Sequence, residues 1–342
     1  GKFDQYKDYD ESEYAKEVVK FSDLKLKEVS PTPEEFINDI PNIIKFLDEP
    51  LAGPGVFPQY IVSKLASKEV KVVLGGQGGD ELFCGYTKYQ LAYLEQALKG
   101  AINETQEEGN HLVTLDSIIP NLPGLKRYIP LMKKFINKDF LGPMNERYFH
   151  LISRVKFDSQ IFNDDFLNNF NSDKQFEKYN NIFSRTQSKS YINKMTNFDM
   201  KTLLPALLHI EDRVSMAWGI ESRVPLLDYR IAEFIATVPP KFKFSGAEPK
   251  SMLKRISKSF IPQKVLERKN KMGFPVPLKE WSSKGIVRDF ISDTLSTQKS
   301  INRGIFDKVY LRNIIDSINE PAARDIWGVL SLEIWHNQFI DS

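Results

Sequence analysis

The sequence predicts an α/β protein with a partial parallel sheet near its start and a largely helical C-terminal half. Three observations carry that prediction. Apolar residues recur at helical spacing in several segments before residue 70. The run Val70 to Leu74 is short, rich in valine and followed by glycines, as expected of a buried parallel strand. From about Pro130 to Ser342 helical periodicity dominates and strand-like alternation is scarce.

The elements follow in order. Asp10 with Glu13 predicts a capping box for a helix through Tyr14, Val18 and Val19. Leu24 to Val29 alternates apolar with charged residues and reads as a short strand. Thr32, Pro33 and Glu35 predict a second helix start, ahead of Phe36, Ile37, Ile40, Ile43, Ile44 and Leu47. A third amphipathic segment, Tyr60 to Ala66, leads into the strand at Val70. Beyond Tyr89, Asn103 to Asn110 reads as a surface loop or a helix end. Phe162 to Ser188 is helix-compatible without clear boundaries. Met200 to Trp218, Lys250 to Phe260 and Ile326 to Phe339 read as helices.

Two parallel strands are a poor structural unit, since such sheets need neighbours and covering helices. The expectation is that further strands lay before Gly1, and the chain opens on glycine where a natural start would have Met.

The bulk properties narrow the classes. A chain of 342 residues with 41% hydrophobic and 27% charged residues has the composition of a soluble globular protein. A net charge of +2 gives no global attraction to nucleic acid or anionic membrane. No apolar run approaches the roughly 20 residues that span a bilayer. The polar opening, Gly1 to Glu13, is not a secretory signal. The single cysteine, Cys84, excludes an internal disulfide and suits a reducing compartment, so the cytoplasm is the expected location.

The sharpest local feature is the loop that follows the strand, Gly75-Gly76-Gln77-Gly78-Gly79, running into Asp80-Glu81-Leu82-Phe83. Ligands of open α/β sheets sit beyond the carboxyl ends of the strands, where this loop must lie. Glycines let a backbone approach a phosphate or an adenosine, and Asp80 could bind Mg²⁺ or simply cap a helix. A tight turn with an ordinary Asp cap explains the loop equally well. No Gly-Lys-Ser/Thr follows, so it is not a Walker loop, and the dinucleotide fingerprint fails in detail.

The stretch VVLGGQGGDELFCGY, ending at Tyr86, resembles the asparagine synthetase family. So do DESEYAKEV (Asp10 to Val18), LDEPLAGP (Leu47 to Pro54), EDRVSMAWGIESRVPLLD (Glu211 to Asp228), PKSMLKR (Pro249 to Arg255) and RKNKMGFPVPLKEW (Arg268 to Trp281). The resemblance implies an adenine-nucleotide α-hydrolase-like (pyrophosphatase-loop) core. Residues 1–95 would be what remains of its nucleotide-binding part and residues 96–342 the helical part. It also implies the chemistry. ATP adenylates the side-chain carboxylate of aspartate, and ammonia derived from glutamine then displaces AMP to give asparagine. By that resemblance Gly75 and Gly76 contact the nucleotide and Asp80 is a Mg²⁺ ligand. Lys250 sits on the phosphates, and Asp48 and Glu49 lie near the acceptor substrate.

Two departures from the family pattern stand out. Where several members have Ser-Gly-Glu-Gly, this chain has Gly75-Gly76-Gln77-Gly78, and Gln77 can hydrogen-bond but cannot act as a base. Gln77 and Lys250 are the residues the resemblance places at the chemistry. The family's loop Ser-Gly-Gly-x-Asp-Ser occurs nowhere in the chain, nor does the N-terminal cysteine of its glutaminase domain. Both segments are expected before Gly1 in the natural polypeptide, and the fragment alone is expected to be inactive.

Other features have plainer readings. Glu211, Asp212, Arg213, Glu221, Arg223 and Asp228 read as an ion-pair network in an apolar stretch. Lys241 to Lys271 holds ten basic residues against Glu248 and Glu267, which a solvated face, a phosphate funnel or a nucleic-acid contact would explain. Nucleic acid is the weakest of these. The four histidines show no metal-ligand spacing. Another amide- or lactam-forming synthetase, a non-catalytic nucleotide-binding relative and a tRNA-modifying enzyme remain as alternatives. Oligomeric state, a homodimer included, is left open.

Overall fold

The computed structural model describes residues 2–341 except 4, 51–52, 104–106, 109–110, 113, 138, 154–160, 269–272 and 317–319. The protein is mostly helical with a small parallel sheet. Helices α1 (Ser12–Ser22), α2 (Pro33–Leu47) and α3 (Val56–Ala66) precede strand β1 (Val72–Leu74). Next come α4 (Gly79–Leu82), α5 (Thr87–Ile102) and a two-residue hairpin, β2 (Glu107–Glu108) with β3 (His111–Leu112). Helices α6 (Leu115–Ile118), α7 (Ile129–Ile136), α8 (Met144–Ile152), α9 (Asp164–Asn168) and α10 (Ser172–Phe183) lead to the long α11 (Tyr191–Met216). Strand β4 (Glu221–Arg223) then pairs in parallel with β1, Val72 opposite Glu221 and Leu74 opposite Arg223. The remainder is helical, from α12 (Tyr229–Thr237), α13 (Pro240–Lys243), α14 (Ser251–Ser257) and α15 (Gln263–Leu266) to a last helix, Glu320–Phe339.

The strongest local signals are realised. Thr32 accepts from the Glu35 backbone at 3.1 Å, and the Glu35 carboxylate accepts from the Thr32 backbone at 3.1 Å, so α2 opens on a complete capping box. Its buried residues, Phe36, Ile40, Ile43, Ile44 and Leu47, fall on one helical stripe. That stripe packs on Phe57, Trp281 and Trp327 in the largest core. A second core gathers Tyr89, Tyr148, Phe183, Tyr191 and Phe198. A smaller cluster of Leu82, Phe83 and Ile235 lies against Leu226, Leu227 and Met252. Helix α11 serves all three, through Tyr191 and Phe198, then Met200, then Val214.

Several expectations need correction. Leu24 to Val29 forms no strand; Leu24 is exposed, and the Lys2 N–H that donates to the Val29 carbonyl (2.9 Å) does not extend into a ladder among the described residues. Asp10 makes no capping box with Glu13. Its carboxylate instead accepts from the Ser12 backbone (2.9 Å) and hydroxyl (3.1 Å), and α1 starts one residue later than expected. The strand is shorter than Val70 to Leu74 and is not buried, with Val72 39% and Leu74 74% exposed. Its partner, β4, lies in the half where strands seemed scarce, because Glu-Ser-Arg carries no apolar alternation. In the Asn103 to Asn110 segment Asn103 caps the end of α5 and Glu107–Glu108 is one arm of the hairpin, and the rest of it lies outside the described residues.

The C-terminal end carries a pH-sensitive tie. Arg303 binds Glu333 (2.7 and 2.9 Å) and Asp341 (2.8 Å). Hydrogen bonding to Arg303 holds the Asp341 carboxyl below the usual range. Burial, reinforced by the Arg303 charge, lowers His336, whose buried Nδ1 has no hydrogen-bond partner among the described residues. Both groups bind protons less readily folded than unfolded, so the stability they contribute is full above their unfolded values and is lost on acidification. For His336 that loss starts as pH falls through its ordinary 6.5. Thermal unfolding should therefore shift downward between about pH 7 and about pH 5, and by less in His336→Gln. An identical pH dependence in the variant would contradict this.

Candidate functional site

Strand β1 ends at Leu74, and the Gly75 N–H still donates to the Arg223 carbonyl (2.7 Å), carrying the ladder one residue into the loop. Gly78 then turns the chain with φ 85, and a Cβ there would overlap Leu227, so the position needs glycine twice over. A Cβ at residue 75 would overlap the carboxylate of Glu211 on α11. Gly76 is different. Nothing lies within 4 Å of where its Cβ would be, so its backbone faces open space at the carboxyl end of the sheet. Gln77 is half-buried in the turn.

Asp80 lies in α4 and meets Lys250 across 170 residues of sequence, Nζ to Oδ1 3.0 Å. Both are mostly buried, at 16% and 21% exposed. Lys250 is not in the first turn of a helix running to Phe260, as the sequence suggested. It precedes the shorter α14 with φ 57, and its N–H donates to the Phe83 carbonyl (3.1 Å). That left-handed backbone is unfavourable for a lysine and is held by the tie to the end of α4. Gly85 lies beneath the pair, where a Cβ would overlap both the Asp80 carboxylate and the Lys250 side chain. Gly85→Ala should prise them apart at an overpacking cost of about 1–3 kcal/mol. A stability loss below about 0.5 kcal/mol in denaturant unfolding would show that the two side chains do not lock together.

A buried polar layer supports this loop. The Tyr86 hydroxyl donates to Glu81, which is 1% exposed. Burial, then the Glu81 charge, raises the Tyr86 hydroxyl far above its ordinary range and keeps it a donor. Behind it, buried Asp199 accepts from Tyr89, Tyr148 (3.0 Å) and Lys88 (2.7 Å), with the Lys88 ammonium over the Tyr86 ring. The sequence reading missed this layer. Its one signal was Asp199, an acid set between Phe198 and Met200 in α11.

The remaining candidates sit apart from the loop. Asp48, with φ 61 at the end of α2, pairs with Arg213 at 2.8 Å, and both are half-exposed. His209 contacts the Leu47 carbonyl (2.9 Å), so residues 209 and 213 share a side of α11 that helical spacing sets opposite Glu211. Glu49 is exposed in the bend that follows. The expected ion-pair network resolves into separate pairs. Arg213–Asp48 joins two helices, while Arg223–Glu221 and Arg230–Asp228 are local and largely exposed. Glu211 joins none of these pairs, and its Oε1 accepts from Ser222 at 2.5 Å.

The basic stretch is largely occupied. Lys254 pairs with Glu248, Arg255 donates to the Phe242 carbonyl, and Lys264 and Arg268 hold Glu13 and Glu11 of the N-terminal region. Buried Lys243 donates to Asn193 (2.8 Å), and residues 269–271 lie outside the described residues.

Among the described residues no cluster of three or more His, Cys, Asp or Glu side chains could hold a metal. Asp80 supplies one carboxylate, which fits Mg²⁺ held jointly with phosphate oxygens and waters better than a closed protein cage. No helix among the described residues is long and apolar enough to cross a membrane.

The model of the asparagine synthase family matches residues 2–337. The chain belongs to that family. It is 29% identical over 311 residues to asparagine synthetase [glutamine-hydrolyzing] 1 of Bacillus subtilis, covering 90% of this chain and 46% of that protein. A putative asparagine synthetase [glutamine-hydrolyzing] of Mycobacterium bovis is 26% identical over 320 residues, covering 90% and 45%. Amidase chry2 of Gibberella zeae is 22% identical over 326 residues, covering 89% and 47%. The chain thus spans about half the length of the curated relatives it matches.

Proposed function

We propose that these residues form the adenylating part of an asparagine synthetase, with ATP, aspartate and glutamine-derived ammonia as substrates and Mg²⁺ bound with the nucleotide. In this reading the core is of the pyrophosphatase-loop kind, and a glutaminase domain in the same polypeptide supplies the ammonia in the cytoplasm. One observation carries the reading. The Asp80–Lys250 pair lies beside an open glycine loop at the carboxyl end of two parallel strands.

The chemistry asks for little more than position and charge. The aspartate side-chain carboxylate attacks the α-phosphorus of ATP and pyrophosphate departs. Gly76 leaves room for the nucleotide beside the backbone of Gly75, and Lys250 offers an ammonium to the phosphate oxygens as negative charge builds. Magnesium neutralises phosphate charge when bound, and Asp80 would hold it.

The test is exchange of labelled pyrophosphate into ATP by the full-length polypeptide. Dependence on aspartate is expected. Exchange that ignores aspartate but follows another carboxylate would make this a synthetase with a different acceptor, and no exchange with any acceptor would contradict adenylation.

A further inference from the structure

Amide formation has to dispose of a proton. The ammonia nitrogen bonds to the acyl carbon, the acyl–oxygen bond to the nucleotide phosphate breaks, and AMP leaves with that electron pair. The nitrogen must then shed a proton to a base. Gln77 cannot take it. Asp80 is held against Lys250, and Glu81 carries the Tyr86 hydroxyl.

Glu211 differs from Asp80 in joining no ion pair among the described residues, and from Glu81 in reaching the glycine loop at residue 75. It is 8% exposed, and its Oε1 occupies the space that a Cβ on residue 75 would fill. The Ser222 hydroxyl fixes that oxygen at 2.5 Å. Its Oε2 lies 3.4 Å from the same point. Among the described residues Glu211 has one neutral hydrogen-bond donor and no ion-pair partner. The carboxylate is buried against the glycine loop with one oxygen held by a neutral hydroxyl, a placement that suits a proton acceptor at that loop.

Two oddities of the loop then have one cause. Residue 75 is glycine because a larger side chain would displace this carboxylate, and residue 77 can be an amide because the carboxylate is already supplied from α11.

We propose that Glu211 is the catalytic base that accepts the proton from attacking ammonia, with Ser222 as a positioning residue that aims it. The proposal rests on the adenylating function above. Its test uses the full-length polypeptide with ammonia as nitrogen donor, and compares wild type with Glu211→Gln, which keeps the shape and the Ser222 contact. Aspartate-dependent pyrophosphate exchange, which needs no ammonia, should stay within about threefold. Amide formation should fall by about 100-fold or more, the usual reach of a general base. Hydroxylamine, a less basic nucleophile whose adduct loses its proton more readily, should lose less than about tenfold under the same comparison. Ser222→Ala should show a smaller loss in the amide step alone.

Parallel loss of exchange and amide formation would make Glu211 structural and overturn the proposal, as would unchanged amide formation. Absence of exchange in the wild type would instead remove the adenylation reading, and this inference with it.

Discussion

Lys250→Ala in the full-length polypeptide should lower aspartate-dependent pyrophosphate exchange by about 100-fold or more, a loss of ~3 kcal/mol of transition-state stabilisation. The side chain is held in place at some expense. Its backbone sits at φ 57, its N–H is tied to Phe83, and its ammonium is kept near the start of α4 by Asp80. Asp80→Asn should match the loss, because it removes both the proposed metal ligand and the charge that keeps Lys250 in place. Lys250→Arg should not restore the rate, since a planar guanidinium cannot reproduce a compact ammonium above Gly85. Near-normal exchange in both Lys250→Ala and Asp80→Asn would remove the site assignment.

The largest effect on stability should come from a pair remote from that site. Arg147 and Glu95 are both fully buried and joined by two hydrogen bonds, Nε–Oε1 2.6 Å and NH2–Oε2 3.0 Å. Glu95 also accepts from the Leu141 backbone (2.8 Å), and the Arg147 guanidinium lies over the Phe135 ring at 4.0 Å. Arg147→Met alone should cost about 3–5 kcal/mol, because it strands a carboxylate in an apolar core. Pairing it with Glu95→Leu should recover most of that loss, since two buried apolar side chains need no compensation. Urea unfolding of the two variants checks both statements, and a double variant as unstable as the single one would contradict them.

The legible parts of the fold were those written in local chemistry. Thr32 to Glu35 announces the start of α2 in four residues, and the apolar stripe from Phe36 to Leu47 shows its buried side. The glycine loop was equally plain, since four glycines in five residues directly after a valine-rich run mark a break in regular structure. What the sequence hid was long-range. Glu221-Ser222-Arg223 becomes a strand because β1 offers it backbone partners, and nothing in those three side chains foretells that. Leu24 to Val29 has the alternation of a strand but forms no ladder among the described residues. Within the site, Asp80 and Lys250 were named from a resemblance, whereas their contact depends on a left-handed residue 250 that no periodicity signals. Glu211 was taken for part of a charge network, because its contact with Gly75 appears only once α11 is laid against the loop.

The most direct measurement is a crystal structure of the full-length polypeptide with ATP and Mg²⁺. The account predicts the metal at about 2.1 Å from an Asp80 carboxylate oxygen. It also predicts the Lys250 ammonium at about 2.8 Å from a phosphate oxygen, with the ribose and α-phosphate over Gly75 and Gly76. A nucleotide bound elsewhere, with the Asp80–Lys250 contact left intact and no metal near it, would contradict the account.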